Sequence, residues 1–427
     1  MRAHTPRIVL AVLAAVLIIR IGAAILFADR QFVGDSKEYH DYAVTILEKK
    51  DWLTNTDFPG SWREPGYPLF LALVYSIFGA DDQLPVYLIQ ALLSGLTCLY
   101  IYRLGKKVFN HVIAVVALAW ASLYPFYLIY LRSLHRDTLV FFLFIVFFYC
   151  LYSHIFENRE GYRGLWFSAI IYALLVHTDT RYLFYFPFLA FLFFYYQPGA
   201  KGVIRYSLFA GAVVLLAIPW LLRNYVAYDR PILITPQTTT YLKYSILPEI
   251  TNNALGLKRD REIWNSEYPT EEERESIKKG IVPKNRSEAE VEAIRKDVFP
   301  ADTTPRKLLA NFVELWRPIK LSSSYTPLPV AQFFGRWSLR HNLISLLSYG
   351  ILLPFMILGM FFLIKNRVKA AVFLLFPIFI QSLLHLFQMG IYRYRVPIDG
   401  FIMLIAFYGM FQIRPLNRIE TEFLKNS

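Results

Sequence analysis

Acids and arginines recur at the ends of apolar runs in this sequence. GDSKEYHDYA sets Asp35, Glu38, Tyr39 and Asp41 just after the first apolar run, and WREPGYP adds Arg63 and Glu64 at a proline-glycine turn. RSLHRDTLVFF places Arg136 and Asp137 at the head of another run. HTDTR supplies His177, Asp179 and Arg181, PWLLRNY supplies Arg223, and IYRYRVP supplies Arg393 and Arg395. Ionisable groups at membrane depth cost on the order of 2.5–3.5 kcal/mol to insert, and they mark substrate paths or internal ion pairs. A carboxylate can take a proton from an attacking hydroxyl. Guanidinium groups grip phosphate through planar, charge-assisted forks and steady the charge that grows on it.

Each group also has a plainer reading. Asp35 precedes EYHDYAVTIL with Glu38 three residues on, as a helix cap would. Asp137 fits a cap before TLVFFLF. Glu64 fits a site wall, a metal contact or a salt bridge to Arg63 or another arginine. His177 lacks an HxH or HxxE companion, and it reads with His385 as hydrogen-bonded structure. Cys98 and Cys150 lie inside apolar runs and read as inert core. No metal ligand set is assigned, and a divalent metal ion is left open as a cofactor. Tyr39, Tyr42 and Tyr67 fit either interfacial packing or stacking on a sugar face.

The elements that must position these groups are membrane helices. The chain of 427 residues is 56% hydrophobic, 17% aromatic and only 18% charged, with a mean hydropathy of +0.38. This composition lies outside that of soluble domains. The net charge of +13 is dispersed in short clusters between apolar runs, which fits membrane topology and anionic lipid, with no nucleic acid as partner. Spans of about 20 residues are expected near 8–28, 84–103, 111–131, 138–156, 165–178, 182–197, 206–222, 341–364, 370–388 and 396–413. The first apolar stretch exceeds the ~7–15 residues of a signal h-region and reads as a retained span. Leu165 to Gln197 would extend ~50 Å as one helix, so a break is expected at HTDTR.

Basic residues set the expected topology. If Gly66 to Gly79 does not cross, then Arg2, Arg7, Arg103, Lys106, Lys107, Arg159, Arg163, Lys201, Arg205, Lys365, Arg367, Lys369, Arg414 and Arg418 all fall on the cytoplasmic side. Residues 66–79 are therefore expected as an interfacial or re-entrant helix on the outer face. The expected organisation is an N-terminal transmembrane module (1–222) containing a catalytic first outer loop (29–83), an extracytoplasmic cap (223–340), and C-terminal transmembrane helices with a cytoplasmic tail (341–427). Thr270 and Ser287, each with a glutamate three residues on, predict helix starts in the cap. No repeat, Walker loop or GxGxxG fingerprint is present, which gives nucleotide binding no support.

A sugar on a polyprenyl phosphate has a leaving group that needs no protonation, unlike the alcohol expelled in glycoside hydrolysis. One base and a cationic clamp then suffice. The order and spacing of GDSKEYHDYA, WREPGYPLFLALVYSIFG, RSLHRDTLVFF, HTDTRYLFYFP, PWLLRNYVAYDRPILIT and IYRYRVPIDGF resemble the GT-C glycosyltransferases of the protein O-mannosyltransferase and aminoarabinose lipid A transferase group. The resemblance implies an all-α polytopic GT-C bundle of about ten spans in a bacterial inner membrane, with an outward-facing, inverting active site. It implies Asp35 as base and Asp137 as a second catalytic acid. Arg181, Arg223, Arg393 and Arg395 become candidates for the lipid-phosphate clamp, with Arg181 and Arg395 favoured. Arg63, Glu64, Tyr39, Arg136 and Asp179 become candidates for substrate binding.

The implied partners are a polyprenyl-phosphate-sugar donor, a lipid, glycan or protein acceptor, and membrane lipids. GDSKEY stands where protein O-mannosyltransferases carry an adjacent Asp-Glu pair, and REPGYP replaces the Glu-Lys-Pro-Pro of aminoarabinose transferases, so sugar and acceptor stay open. Two other readings remain: a flippase of lipid-linked sugars, disfavoured by the lack of internal repeats, and a non-catalytic scaffold of the cell envelope.

Overall fold

A computed structural model describes residues 5–26, 35–49, 51–55, 62–157, 161–229, 231–235, 305–319, 339–387 and 392–413, with isolated positions between 273 and 291. Most of the expected cap, the Thr270 helix start, and Arg2, Arg159, Arg414 and Arg418 lie outside the described residues. The Ser287 start lies within them: Ser287 Oγ accepts from the Glu290 N–H at 3.3 Å, and Glu290 Oε2 accepts from the Ser287 N–H at 2.7 Å, a reciprocal capping box.

The described elements are helical. They are α1 (Thr5–Leu26), α2 (Asp35–Glu48), α3 (Gly66–Phe78), α4 (Leu84–Val108), α5 (His111–Ser122), α6 (Pro125–Ile129), α7 (Asp137–Tyr152), α8 (Arg163–Thr178), α9 (Phe186–Tyr196), α10 (Ala200–Tyr228), α11 (Pro305–Trp316), α12 (Leu339–Ser345), α13 (Leu352–Lys365), α14 (Ala371–Phe387) and α15 (Asp399–Phe411). Among the described residues six helices are long and apolar enough to cross a membrane, or seven if α5 and α6, bent by 49°, form one broken span. Gly66–Phe78, Arg163–Thr178 and Ala371–Phe387 are apolar but shorter. The expectation of about ten spans thus meets six or seven full-length ones. The segment at 66–79 is a 13-residue helix, about 20 Å long, with Leu69, Leu73 and Ile77 exposed.

The break at HTDTR has a local cause. α8 stops at Thr178, Asp179 turns to extended backbone (φ −151, ψ 106), and a 3-10 segment, Thr180–Tyr185, leads into α9. The Asp179 carboxylate accepts from the Arg181 N–H at 3.1 Å and so opens that segment.

The bend between α5 and α6 is held by a residue that the sequence hides inside an apolar run. Pro125 has no N–H to offer the preceding turn. Arg20 of α1, fully buried, supplies donors instead: Nη1 to the Ser122 carbonyl at 2.9 Å and Nη2 to the Ala121 carbonyl at 3.1 Å. Nε donates to Ser94 Oγ at 2.9 Å, and Nη2 also reaches Cys98 Sγ at 3.1 Å. Cys98 is therefore a packed acceptor of α4 as well as core. Arg20→Ala strips two buried carbonyls of a charged donor and opens a cavity. We expect a loss of about 2–4 kcal/mol, read as a lower unfolding midpoint in detergent.

Helix contacts elsewhere rest on aromatics and small residues. Phe144 and Phe148 of α7 pack edge-on against Phe401 of α15 at 6.1 and 5.1 Å. α13 and α15 touch backbone to backbone, because a Cβ on Gly359 would run into the Ile405 carbonyl and one on Gly409 into the Phe355 carbonyl.

Candidate active site

Helix ends bring the acids and arginines of the sequence into one connected cluster. Asp35 opens α2, Asp137 opens α7, Arg136 precedes it, Asp179 and Arg181 follow α8, and a single helical turn, Tyr392–Arg395, precedes α15. Gly66 lets the REPGYP turn approach: a Cβ there would lie 2.8 Å from the Thr178 backbone nitrogen. That approach seats Glu64 against Thr180, whose hydroxyl donates to Oε1 at 3.1 Å.

Two arginines hold Asp35. Arg63 pairs with it through Nη2 and donates to Glu38 through Nε at 2.7 Å. Arg393 Nη1 lies 3.7 Å from the other Asp35 oxygen. Arg393 also grips Asp137 with a fork, Nε to Oδ1 at 2.8 Å and Nη2 to Oδ2 at 2.6 Å. Arg136 pairs with Glu64 and approaches Asp179 at 3.7 Å, and Asp179 is forked by Arg181. The Arg181 guanidinium in turn lies 3.7 Å from the centre of the Tyr394 ring. The network closes on itself through the Tyr392–Arg395 turn.

Exposure separates the acids. The side chains of Asp137, Glu64 and Asp179 are 4%, 3% and 0% exposed, whereas that of Asp35 is 31% exposed. All four are ion-paired; of the cluster's carboxylates only Asp35 and its neighbour Glu38, 22% exposed, are partly open to solvent. Burial alone would raise its pKa, but Arg63 and Arg393 hold it well below the usual carboxylate range. Asp179 is likewise held low by Arg136 and Arg181 against its burial.

Because Asp35 stays ionised to unusually acid pH, the pH profile of kcat/KM for a reaction that needs its carboxylate should stay flat well below neutrality. In Arg63→Gln the acid limb should move up, toward or past the ordinary value near ~3.9. An unmoved limb would detach the titration from this pair.

Several expected site residues take other places. Tyr39 is fully buried with Arg63 4.9 Å over its ring, so it faces a guanidinium where the sequence offered a sugar face. Burial pushes its phenol up to about 12. Arg395 is also fully buried: its Nε donates to Asp399 at 2.9 Å, and its guanidinium lies 3.2 Å from the Tyr349 ring centre. Residues two apart on a helical turn point to different sides, so Arg393 reaches the cluster and Arg395 does not. Arg223 stands apart as well, donating to the Trp52 carbonyl at 2.9 Å. His177 bonds the Ala173 carbonyl at 2.7 Å, as hydrogen-bonded structure.

The sequence assigned no role to His135. It is buried between Ser36 and Ser133, with Nδ1 at 3.2 and 3.1 Å from their hydroxyls. Burial, then the Arg393 charge, lowers its pKa to about 4, so it is neutral at pH 7. Its place in RSLHRD, two residues from Asp137, is the signal that could have found it. Among the described residues no three His, Cys, Asp or Glu side chains converge to hold a metal ion. Glu64, the one suggested contact, is committed to Arg136 and Thr180.

Beside the cluster runs an apolar groove of about 680 Å³ between α3, α8 and α10. Pro65 and Thr178, the neighbours of Glu64 and Asp179, line it, as do Leu69 and Leu216; Arg223 and Trp52 supply its polar edge.

Residues 61–222 match the family described as dolichyl-phosphate-mannose-protein mannosyltransferase. No curated protein matches the chain. Among solved structures, the apo oligosaccharyltransferase of Archaeoglobus fulgidus is similar with a TM-score of 0.56 at 16% identity, over 97% of this chain and 52% of that one. AglB from the same organism, in complex with an inhibitory peptide and a dolichol-phosphate, gives 0.51 at 13% identity, over 97% and 51%. ArnT from Cupriavidus metallidurans in the apo state gives 0.42 at 12% identity, over 94% and 76%. The chain spans about half the length of the oligosaccharyltransferases it matches. It is an integral membrane protein with the GT-C glycosyltransferase fold, and over residues 61–222 it resembles the dolichyl-phosphate-mannose-protein mannosyltransferases.

Proposed function

We propose that this protein transfers a sugar from a polyprenyl-phosphate carrier to an acceptor hydroxyl at the outer face of the membrane, with inversion at the anomeric carbon. The observation that carries the reading is that Asp35, 31% exposed and held between Arg63 and Arg393, stands at the accessible edge of an arginine cluster whose other carboxylates, Asp137, Glu64 and Asp179, are buried. In the reaction Asp35 takes the acceptor O–H proton as that oxygen bonds to the anomeric carbon. The bond from that carbon to the phosphate oxygen breaks, and the carrier leaves as a polyprenyl monophosphate.

The arginines act on the leaving group. Arg393 and Arg63 bind Asp35 in the free protein, and an arriving phosphate competes for the same guanidinium groups. That competition withdraws positive charge from Asp35 and raises its basicity when the acceptor is present. Arg181 keeps a buried Nη1 without a hydrogen-bond partner, a spare donor for phosphate. The groove with Arg223 at its edge suits a long apolar carrier tail. Asp137, Glu64 and Asp179 hold the arginines in place.

The test is turnover by pure protein in detergent, supplied with undecaprenyl-phosphate sugars and candidate acceptors. Release of free undecaprenyl phosphate supports a transferase, since a flippase needs two compartments and cleaves nothing. Donor binding without cleavage across the acceptor panel would favour the flippase.

A further inference from the structure

A second polar cluster lies at the far end of the same helices. From Arg223 to Arg205 along α10, and from Asp137 to His154 along α7 and its continuation, the chain runs about 25–27 Å at 1.5 Å per residue. Both Arg205 and His154 therefore sit at the other end of these helices from Asp35. Arg205 counts as a loop charge in the sequence, yet it lies within α10 and is 2% exposed. Its Nε and Nη1 have no hydrogen-bond partner, and neither has the amide nitrogen or oxygen of Gln197, itself buried. His154, fully buried in the wide π-type turn Ser153–Glu157, packs against Phe193 of α9 with ring centres 6.2 Å apart, and its ring faces the Gly161 backbone.

Two helix N-termini close on this place, beside the last carbonyls of α9 and the Cys150 carbonyl of α7. α8 starts here: a Cβ on Gly164 would lie 3.1 Å from that of His154, and the Arg205 guanidinium lies 5.8 Å from the ring of Tyr162, which precedes α8. α10 starts at Ala200 after a tight turn, in which a Cβ on Gly202 would run into the Gln197 carbonyl. Helix N-termini carry partial positive charge and free N–H groups. A buried guanidinium with two nitrogens lacking a hydrogen-bond partner is costly without an anion.

We propose that Arg205, Gln197 and the N-termini of α8 and α10 form a phosphate-binding site on the face opposite the active site, occupied by a lipid headgroup phosphate or by free phosphate. The guanidinium forks two phosphate oxygens, the Gln197 amide nitrogen donates to a third, and His154 closes the inner wall. The exposed rings and charges around the cluster, Tyr162, Arg163 and Lys201, suit a headgroup at the membrane boundary.

The experiment uses the full chain, delipidated in neutral detergent and titrated in parallel with phosphatidylglycerol, phosphatidylcholine and inorganic phosphate. Bound species are counted by native mass spectrometry, and unfolding midpoints are recorded. For the wild type we expect one tightly retained phosphate-bearing ligand, and in Arg205→Gln about tenfold weaker retention or more. Loss of lipid retention alone assigns the headgroup; a midpoint rise with inorganic phosphate that needs Arg205 assigns the free ion. Arg205→Met keeps the test sound if the glutamine variant folds poorly. With no ligand present, removal of an unpaired buried charge should stabilise the protein, and anionic lipid should reverse that order. Equal retention by wild type and both variants, with no phosphate-dependent midpoint, would overturn the proposal.

Discussion

Asp35→Asn should abolish sugar transfer while leaving a folded protein that still binds its donor. The amide keeps the shape and loses the base. General-base catalysis contributes typically 10²–10⁴-fold, so turnover should fall by about that factor or below detection. Stability should fall, because Asp35 loses its attraction to Arg63 and Arg393, but the protein should stay folded, because the Asp35 side chain is 31% exposed and its neighbours keep other partners: Arg63 keeps Glu38 and Arg393 keeps Asp137. Turnover is read as release of carrier phosphate, and folding as the unfolding midpoint in the same detergent. Full activity in this variant would remove Asp35 from the chemistry.

Arg393→Gln should have the largest combined effect on stability and activity. It leaves Asp137, 4% exposed, with its two strongest hydrogen bonds gone. Breaking one side of a buried pair costs about 3–5 kcal/mol, so the unfolding midpoint should drop sharply. Adding Asp137→Asn removes the orphaned charge and should restore most of the stability. Activity should stay low in the double variant, because the guanidinium that bridges Asp35 and Asp137 is still missing. Recovery of activity with stability would make Arg393 structural only.

Much of this architecture could be read in the sequence because membrane helices announce themselves by length and apolarity. The runs at 84–103, 138–156, 206–222 and 341–364 all lie in helices long and apolar enough to cross a membrane, and the break at HTDTR followed from a run too long for a bilayer. Short helices were harder. α8 and α9 are apolar but fall short of a full span, because the turn at Asp179 ends one and the turn at Gly199 follows the other.

Pairing was the part the sequence could not convey. Asp137 and Arg393 stand 256 residues apart, and nothing local links them. Arg395 looked equivalent to Arg393 two residues away, yet helical phase turns it to Asp399 and Tyr349. Arg20 and Arg205 were absorbed into a span and a loop by their neighbours' character, although each is a buried cation with specific surroundings. His135 did not stand out because a lone histidine beside an acid has many uses, and only the fold places it between Ser36 and Ser133.

The central proposal is that Asp35 activates an acceptor against a sugar held on a polyprenyl phosphate. It is met most directly by native mass spectrometry of wild type and Asp35→Asn, each extracted gently from the producing membrane. We expect the variant to retain a polyprenyl-phosphate sugar, its mass naming the sugar, and the wild type to carry mainly the bare polyprenyl phosphate left after transfer. Ordinary phospholipids alone on both proteins would contradict it.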